Sequence, residues 1–215
     1  MKLKTVLAPL AIIALSGCIK HEIIPSPEPK VELICHFKGK INATDRELTQ
    51  NVSGYFLETS KSKYVPAGNL PAEAIYYSEI KSGESLLAVK LNLGTVKWDQ
   101  NVSVDPTVAI FNGFMTGNAQ PAYKIGADEG FEVSYRDAQG NIWLSKDDAA
   151  NTIEFTNIVQ ESDKTGDYSK FVAKFDAKVY HTFMNINTSV QPHDTTYDEQ
   201  SIDIVEGVFK GWFKR

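Results

Sequence analysis

From Val31 onward the chain alternates apolar and polar residues with a period of two, punctuated by clusters of Gly, Asn, Asp and Pro. That period puts successive side chains on opposite faces of a strand, and long stretches with the 3.6-residue period of an amphipathic helix do not occur. The pattern predicts strands near 31–40, 46–58, 73–81, 85–94, 130–136, 141–146, 152–161, 168–183 and 200–213. The expected fold is all-β: an antiparallel β-sandwich of about nine strands with one short helix.

Two hairpins are the most explicit. Phe131, Val133 and Tyr135 share one face, Asp137-Ala138-Gln139-Gly140 turns the chain, and Asn141-Ile142-Trp143-Leu144 returns. Gly140 supplies the positive φ such a turn requires. The other hairpin joins Ile153–Gln160 to Tyr168–Phe183 through Glu161–Asp167. On its return strand Phe171, Ala173, Phe175, Ala177, Val179, His181 and Phe183 alternate with Lys170, Val172, Lys174, Asp176, Lys178, Tyr180 and Thr182, so one face packs and one is wet. The lysines would discourage edge-to-edge pairing if this strand lay near a sheet margin.

One segment breaks the alternation. Asp105 can cap a helix and Pro106 suits its first position, with Val108, Phe111 and Met115 on one face and Ile110 and Phe114 beside them. Such a helix is expected to plug the open end of the sandwich.

The amino terminus is patterned differently. Met1-Lys2-Leu3-Lys4 is basic, and Thr5–Ala14 is an apolar run too short to span a bilayer. Leu15-Ser16-Gly17-Cys18 then resembles the lipobox of bacterial lipoproteins. The resemblance implies diacylglycerol on the Cys18 sulfur, cleavage before Cys18 and acylation of the new amino terminus, which would anchor the chain stably to a membrane. The expected organisation is a lipoprotein signal peptide at 1–17, an acylated cysteine with a proline-rich tether at 18–30, and a single β-sandwich domain at 31–215. Alternate prolines at 25, 27 and 29 favour extended polyproline geometry, a semi-rigid spacer. In a bacterial chain the Asn-x-Ser/Thr triplets at Asn42, Asn51, Asn101 and Asn187 read as turns rather than glycosylation acceptors.

Composition narrows the partners. The formal charge of −5 becomes −7 once Lys2 and Lys4 leave with the signal peptide, and no basic run offsets it, which argues against nucleic acid. With Cys18 acylated, Cys35 has no partner for a disulfide. Val31, Leu33, Cys35 and Phe37 share a strand face, so Cys35 is expected in the core as a small hydrophobe. His36 points the other way and cannot activate it.

The order of the pieces resembles uncharacterised cell-envelope lipoproteins of Bacteroidota. The matching residues are Phe111–Met115, the hairpin Val133–Trp143 and the ending Gly207-Val208-Phe209-Lys210-Gly211-Trp212-Phe213. These motifs are structural, and the resemblance covers about half the mature chain, mostly its second part. The resemblance implies an outer-membrane location, periplasmic or surface-facing, and carries over no catalytic residues. Lys20 and Glu22 only partly match the surface-display signal of that group.

No catalytic, metal or cofactor site is legible. His21, His36, His181 and His193 lack ligand spacing. Asp163–Asp167 and Asp194–Glu199 put carboxylates in loops without the order of an EF-hand, and turn chemistry explains them. No Gly-x-Ser-x-Gly elbow occurs, and Ser53-Gly54 and Ser82-Gly83 read as turns. Tyr76, Tyr77, Trp98 and Trp143 are candidates for an exposed aromatic platform, against the plainer reading that they cover a sheet face or a loop base. The expected function is a non-catalytic binding or accessory module for a protein or glycan partner. A structural role in envelope assembly ranks second and an extracytoplasmic hydrolase third.

Overall fold

The computed structural model describes residues 30–124, 130–187 and 194–215. In chain order the elements are β1 (His36–Ile41), β2 (Thr44–Thr49), β3 (Tyr55–Tyr64), β4 (Ala72–Ser82), β5 (Ala88–Trp98), α1 (Val108–Gly117), β6 (Phe131–Arg136), β7 (Ile142–Ser145), β8 (Thr152–Asp163), β9 (Gly166–Asn187) and β10 (Asp194–Lys214). The strands pair antiparallel in the order β2-β1-β10-β9-β7-β6-β5-β4-β3, and β8 pairs with the first half of β9.

The all-β class and the short helix are as expected, but the strands form one continuous sheet rather than two separate ones. It curls into a half-barrel, bringing β10 across from β3 and β4. Bulges assist the curl: β1 shifts register between Lys38 and Lys40, and β10 between Ile204 and Gly207. There Gly207 is obligatory, because a Cβ would come within 2.9 Å of the Phe175 carbonyl oxygen.

The concave side holds the core. Phe171 stacks on Phe209 at 6.1 Å and lies against Phe213 at 4.7 Å, while Phe155 meets Phe171 edge-on at 5.0 Å. Each such ring contributes about 1.5–3 kcal/mol through removal from water. Helix α1 closes one end, burying Phe111 against Tyr76 at 5.1 Å, together with Met115.

Several local expectations change. The predicted strand 46–58 is two strands, broken where Asn51, Ser53 and Gly54 all take positive φ. Val31–Cys35 is not a strand; Val31 N–H donates to the Asp163 carboxylate at 3.0 Å and Cys35 N–H to the Gln50 side chain at 2.8 Å, while Gln50 N–H donates to the Cys35 carbonyl at 3.3 Å. Thr107, not Asp105, caps α1, accepting from Ile110 N–H at 3.3 Å. Asp105 is drawn to Lys61 at 2.8 Å and Lys63 at 3.3 Å, and Val108 faces out. As far as Tyr180 strand β9 runs inside the sheet, flanked by β10 and by β8 and then β7, so its lysines guard no margin; Lys170 pairs with Glu161 at 2.7 Å. Of the four Asn triplets, Asn42, Asn51 and Asn101 lie in turns, whereas Asn187 closes β9.

Candidate functional site

Residues expected to carry chemistry are mostly absorbed by the frame. Cys35 is fully buried, and burial pushes its thiol up to about 11. Ellman's reagent should therefore label the folded protein at least about 100-fold more slowly than the urea-unfolded chain. Rapid labelling in native buffer would contradict the burial. His36 hydrogen-bonds Thr49 at 3.2 Å, and His181 reaches the Ile142 carbonyl at 2.8 Å while its ring packs on Phe183. His21, His193, Cys18 and the tether lie outside the described residues.

The carboxylates of Asp163 and Asp167 are engaged. Asp163 accepts from the Thr165 hydroxyl at 2.6 Å and from the Val31 and Thr165 N–H groups, which hold its carboxyl down to about 2. Asp167 accepts from Ser162 at 2.7 Å and from Arg215 at 2.6 Å. Asp194–Glu199 is strand rather than loop, paired with the end of β9. Among the described residues, no cluster of three metal-ligating side chains occurs. No helix among them is long and apolar enough to cross a membrane. The serine-glycine pairs are turn chemistry, with the Ser82 hydroxyl donating to the Ser53 carbonyl at 2.7 Å.

The aromatic candidates are largely interior. Tyr76, Trp98 and Trp143 are buried, and only Tyr77 is partly open, beneath Lys90. On β7 it is Trp143 and Ser145 that face in, leaving Ile142 and Leu144 exposed. Asp137 explains that inversion, because it accepts the Trp143 indole N–H at 3.0 Å and gives the polar end of the ring a buried partner. Burial alone would raise the Asp137 carboxyl; hydrogen bonds from Trp143, Asn141 and Gln139 outweigh it and hold the group below its ordinary value.

Among the described residues an open groove of about 790 Å³ forms beside β8 and β9. Segment 120–123, the β7–β8 loop, the start of β8 and the β9–β10 bulge line it. Five lining carboxylates, Asp147, Asp148, Glu154, Asp176 and Glu206, face a single lining lysine, Lys174. Most are held by the frame rather than free to wander. Asp176 accepts the Glu206 N–H at 2.7 Å, and Glu206, in the left-handed region at φ 56°, reaches Lys40. Asp148 accepts from Ala150 N–H at 2.9 Å, and Asp147 meets Lys124 at 3.3 Å. Beneath them the buried Tyr123 hydroxyl donates to the Thr152 carbonyl at 3.1 Å, and burial pushes that phenol upward.

No histidine, cysteine or serine is among the residues that line the groove. What the groove offers is a fixed set of hydrogen-bond acceptors with negative charge. Sequence reasoning missed these residues because they come from four separate segments; the Asp147-Asp148 doublet was the one local signal. Comparison with family models, with curated proteins and with solved structures yields no match to this chain.

Proposed function

We propose that this chain is a lipid-anchored cell-envelope lipoprotein, held to the outer membrane through acyl chains on Cys18, whose domain is a non-catalytic binding module. The observation that carries the binding reading is the acid-lined groove, with acceptors set by backbone and ion-pair contacts before any ligand arrives. Such a surface suits a partner rich in donors: the ammonium groups of a basic polypeptide segment or the hydroxyls of a glycan.

Two measurements test the reading. Cys18→Ala should move the protein from the membrane to the soluble fraction, and unchanged retention would defeat the anchor. For the groove, titration with oligolysine and with a panel of neutral oligosaccharides should identify one binding class. Asp147→Asn combined with Glu154→Gln should weaken it at least about tenfold, the scale expected for losing two charge-assisted contacts. Both side chains are exposed, so the fold should be unaffected. Equal affinity in the variant, or turnover of an oligosaccharide, would overturn the proposal.

A further inference from the structure

The far end of the β9–β10 hairpin leaves the sheet. Strand β7 meets β9 only at Val179 and Tyr180, and β1 pairs with β10 only from Ile204 onward. Among the described residues, Thr182–Asn187 and Glu199–Asp194 pair with each other alone. This ribbon has two open edges, and two strands by themselves are marginal in water. Its root is oriented by Phe183, which packs edge-on against Trp143 at 6.0 Å. The opposite face therefore points outward, carrying Met184 at 58% exposure, Ile186 at 50% and Tyr197 at 71%. Met184 and Tyr197 are direct cross-strand partners.

The two edges differ in charge. Along β10 the ribbon carries Asp198 and Glu199. Along β9 the open stretch Thr182-Phe183-Met184-Asn185-Ile186-Asn187 contains no Lys, Arg, Asp, Glu, Pro or Gly. Natural edge strands are normally protected by one of those devices, and a window of this composition has high affinity for another strand.

We infer that the β9 edge of the ribbon pairs antiparallel with the same edge of a second copy of this chain, about a two-fold axis near Asn185. A two-fold interface needs a self-complementary surface, and an uncharged edge is one. Antiparallel pairing about Asn185 sets Met184 opposite Ile186 of the second copy, with both on the outward apolar face. The row then reads Tyr197, Met184 and the second copy's Ile186, repeated in reverse by symmetry. The two Asn185 amides meet on the axis, where each can donate to the other. The acidic β10 edges end on the outside, as far apart as the four-stranded sheet allows. Pairing through β10 instead would set like charges against each other, and a basic partner would be drawn to that edge rather than to β9.

The test uses the full chain in non-ionic detergent. Sedimentation should give a dimer, and Met184→Lys with Ile186→Lys should weaken it at least about 100-fold without changing the far-UV circular dichroism, since both side chains are exposed. Asn185→Cys should form a chain-to-chain disulfide under mild oxidation, whereas Asp198→Cys on the opposite edge should not. A monomer before substitution, a dimer indifferent to both lysines, a disulfide through Asp198→Cys, or Asn185→Cys linking only to a different protein would each overturn the inference. It stands apart from the groove, because Asp147→Asn with Glu154→Gln should leave the dimer intact.

Discussion

Phe171→Ala should cost about 3–5 kcal/mol of unfolding free energy, the usual range for removing a buried aromatic ring. The ring touches Phe155, Phe209 and Phe213, contributed by β8 and β10, so it joins the three longest strands at the centre of the half-barrel. Its neighbours are held by their own backbone ladders and can close only part of the void. Since a domain of this kind has about 5–15 kcal/mol in total, the variant should sit near its unfolding threshold. Urea denaturation at neutral pH measures the loss. Phe171→Leu, which keeps much of the volume, should cost less than half as much. A loss below about 1 kcal/mol for the alanine variant would mean this cluster is not the centre of the core.

Asp137→Ala should cost about 2–4 kcal/mol, because it strips the β6–β7 turn of its acceptor and leaves a buried indole N–H unpaired. The carboxylate accepts from Gln139 N–H, Asn141 N–H and Asn141 Nδ2 at 2.9 Å each, and from Trp143 Nε1 at 3.0 Å. Asp137→Asn keeps the shape but offers only one acceptor oxygen, so its loss should be smaller. The pH dependence has a definite sign. The folded carboxyl is held below its ordinary value, so the stabilisation is complete above the unfolded value and fades as pH falls through the folded one. The stability gap between the native chain and Asp137→Asn should therefore be widest near pH 7 and narrow below about pH 4. A gap that grows on acidification would show that the charge is not what matters at this turn.

Much of the chain was readable because it is locally consistent. The turn at Asp137–Gly140, with Gly140 at φ 90°, sits where the sequence pattern puts it. Cys35 is interior because its strand-like neighbours Val31 and Phe37 are. The apolar face of α1 reads correctly at Phe111 and Met115, yet the cap was misplaced by two residues because Asp105 is satisfied by lysines from β3, a contact no local rule contains. The same limit hid the orientation of Trp143. Alternation alone pairs a tryptophan flanked by Asn141 and Ser145 with the wet face, and only the buried acceptor on Asp137 reverses it.

The amino-acid order determined strand existence, turn positions and the apolar side of most strands, since these follow from period-two patterning and from residues that tolerate positive φ. Which strands became neighbours was decided only in three dimensions. β1 joins β10 and β7 joins β9 across long separations, where the choice of ladder partner depends on how the whole sheet closes over its aromatic core. The groove is a product of the same closure, because its carboxylates converge only when the β10 bulge and the β7–β8 loop meet over β9. So is the open β9 edge, which exists because β7 is short and β9 is long.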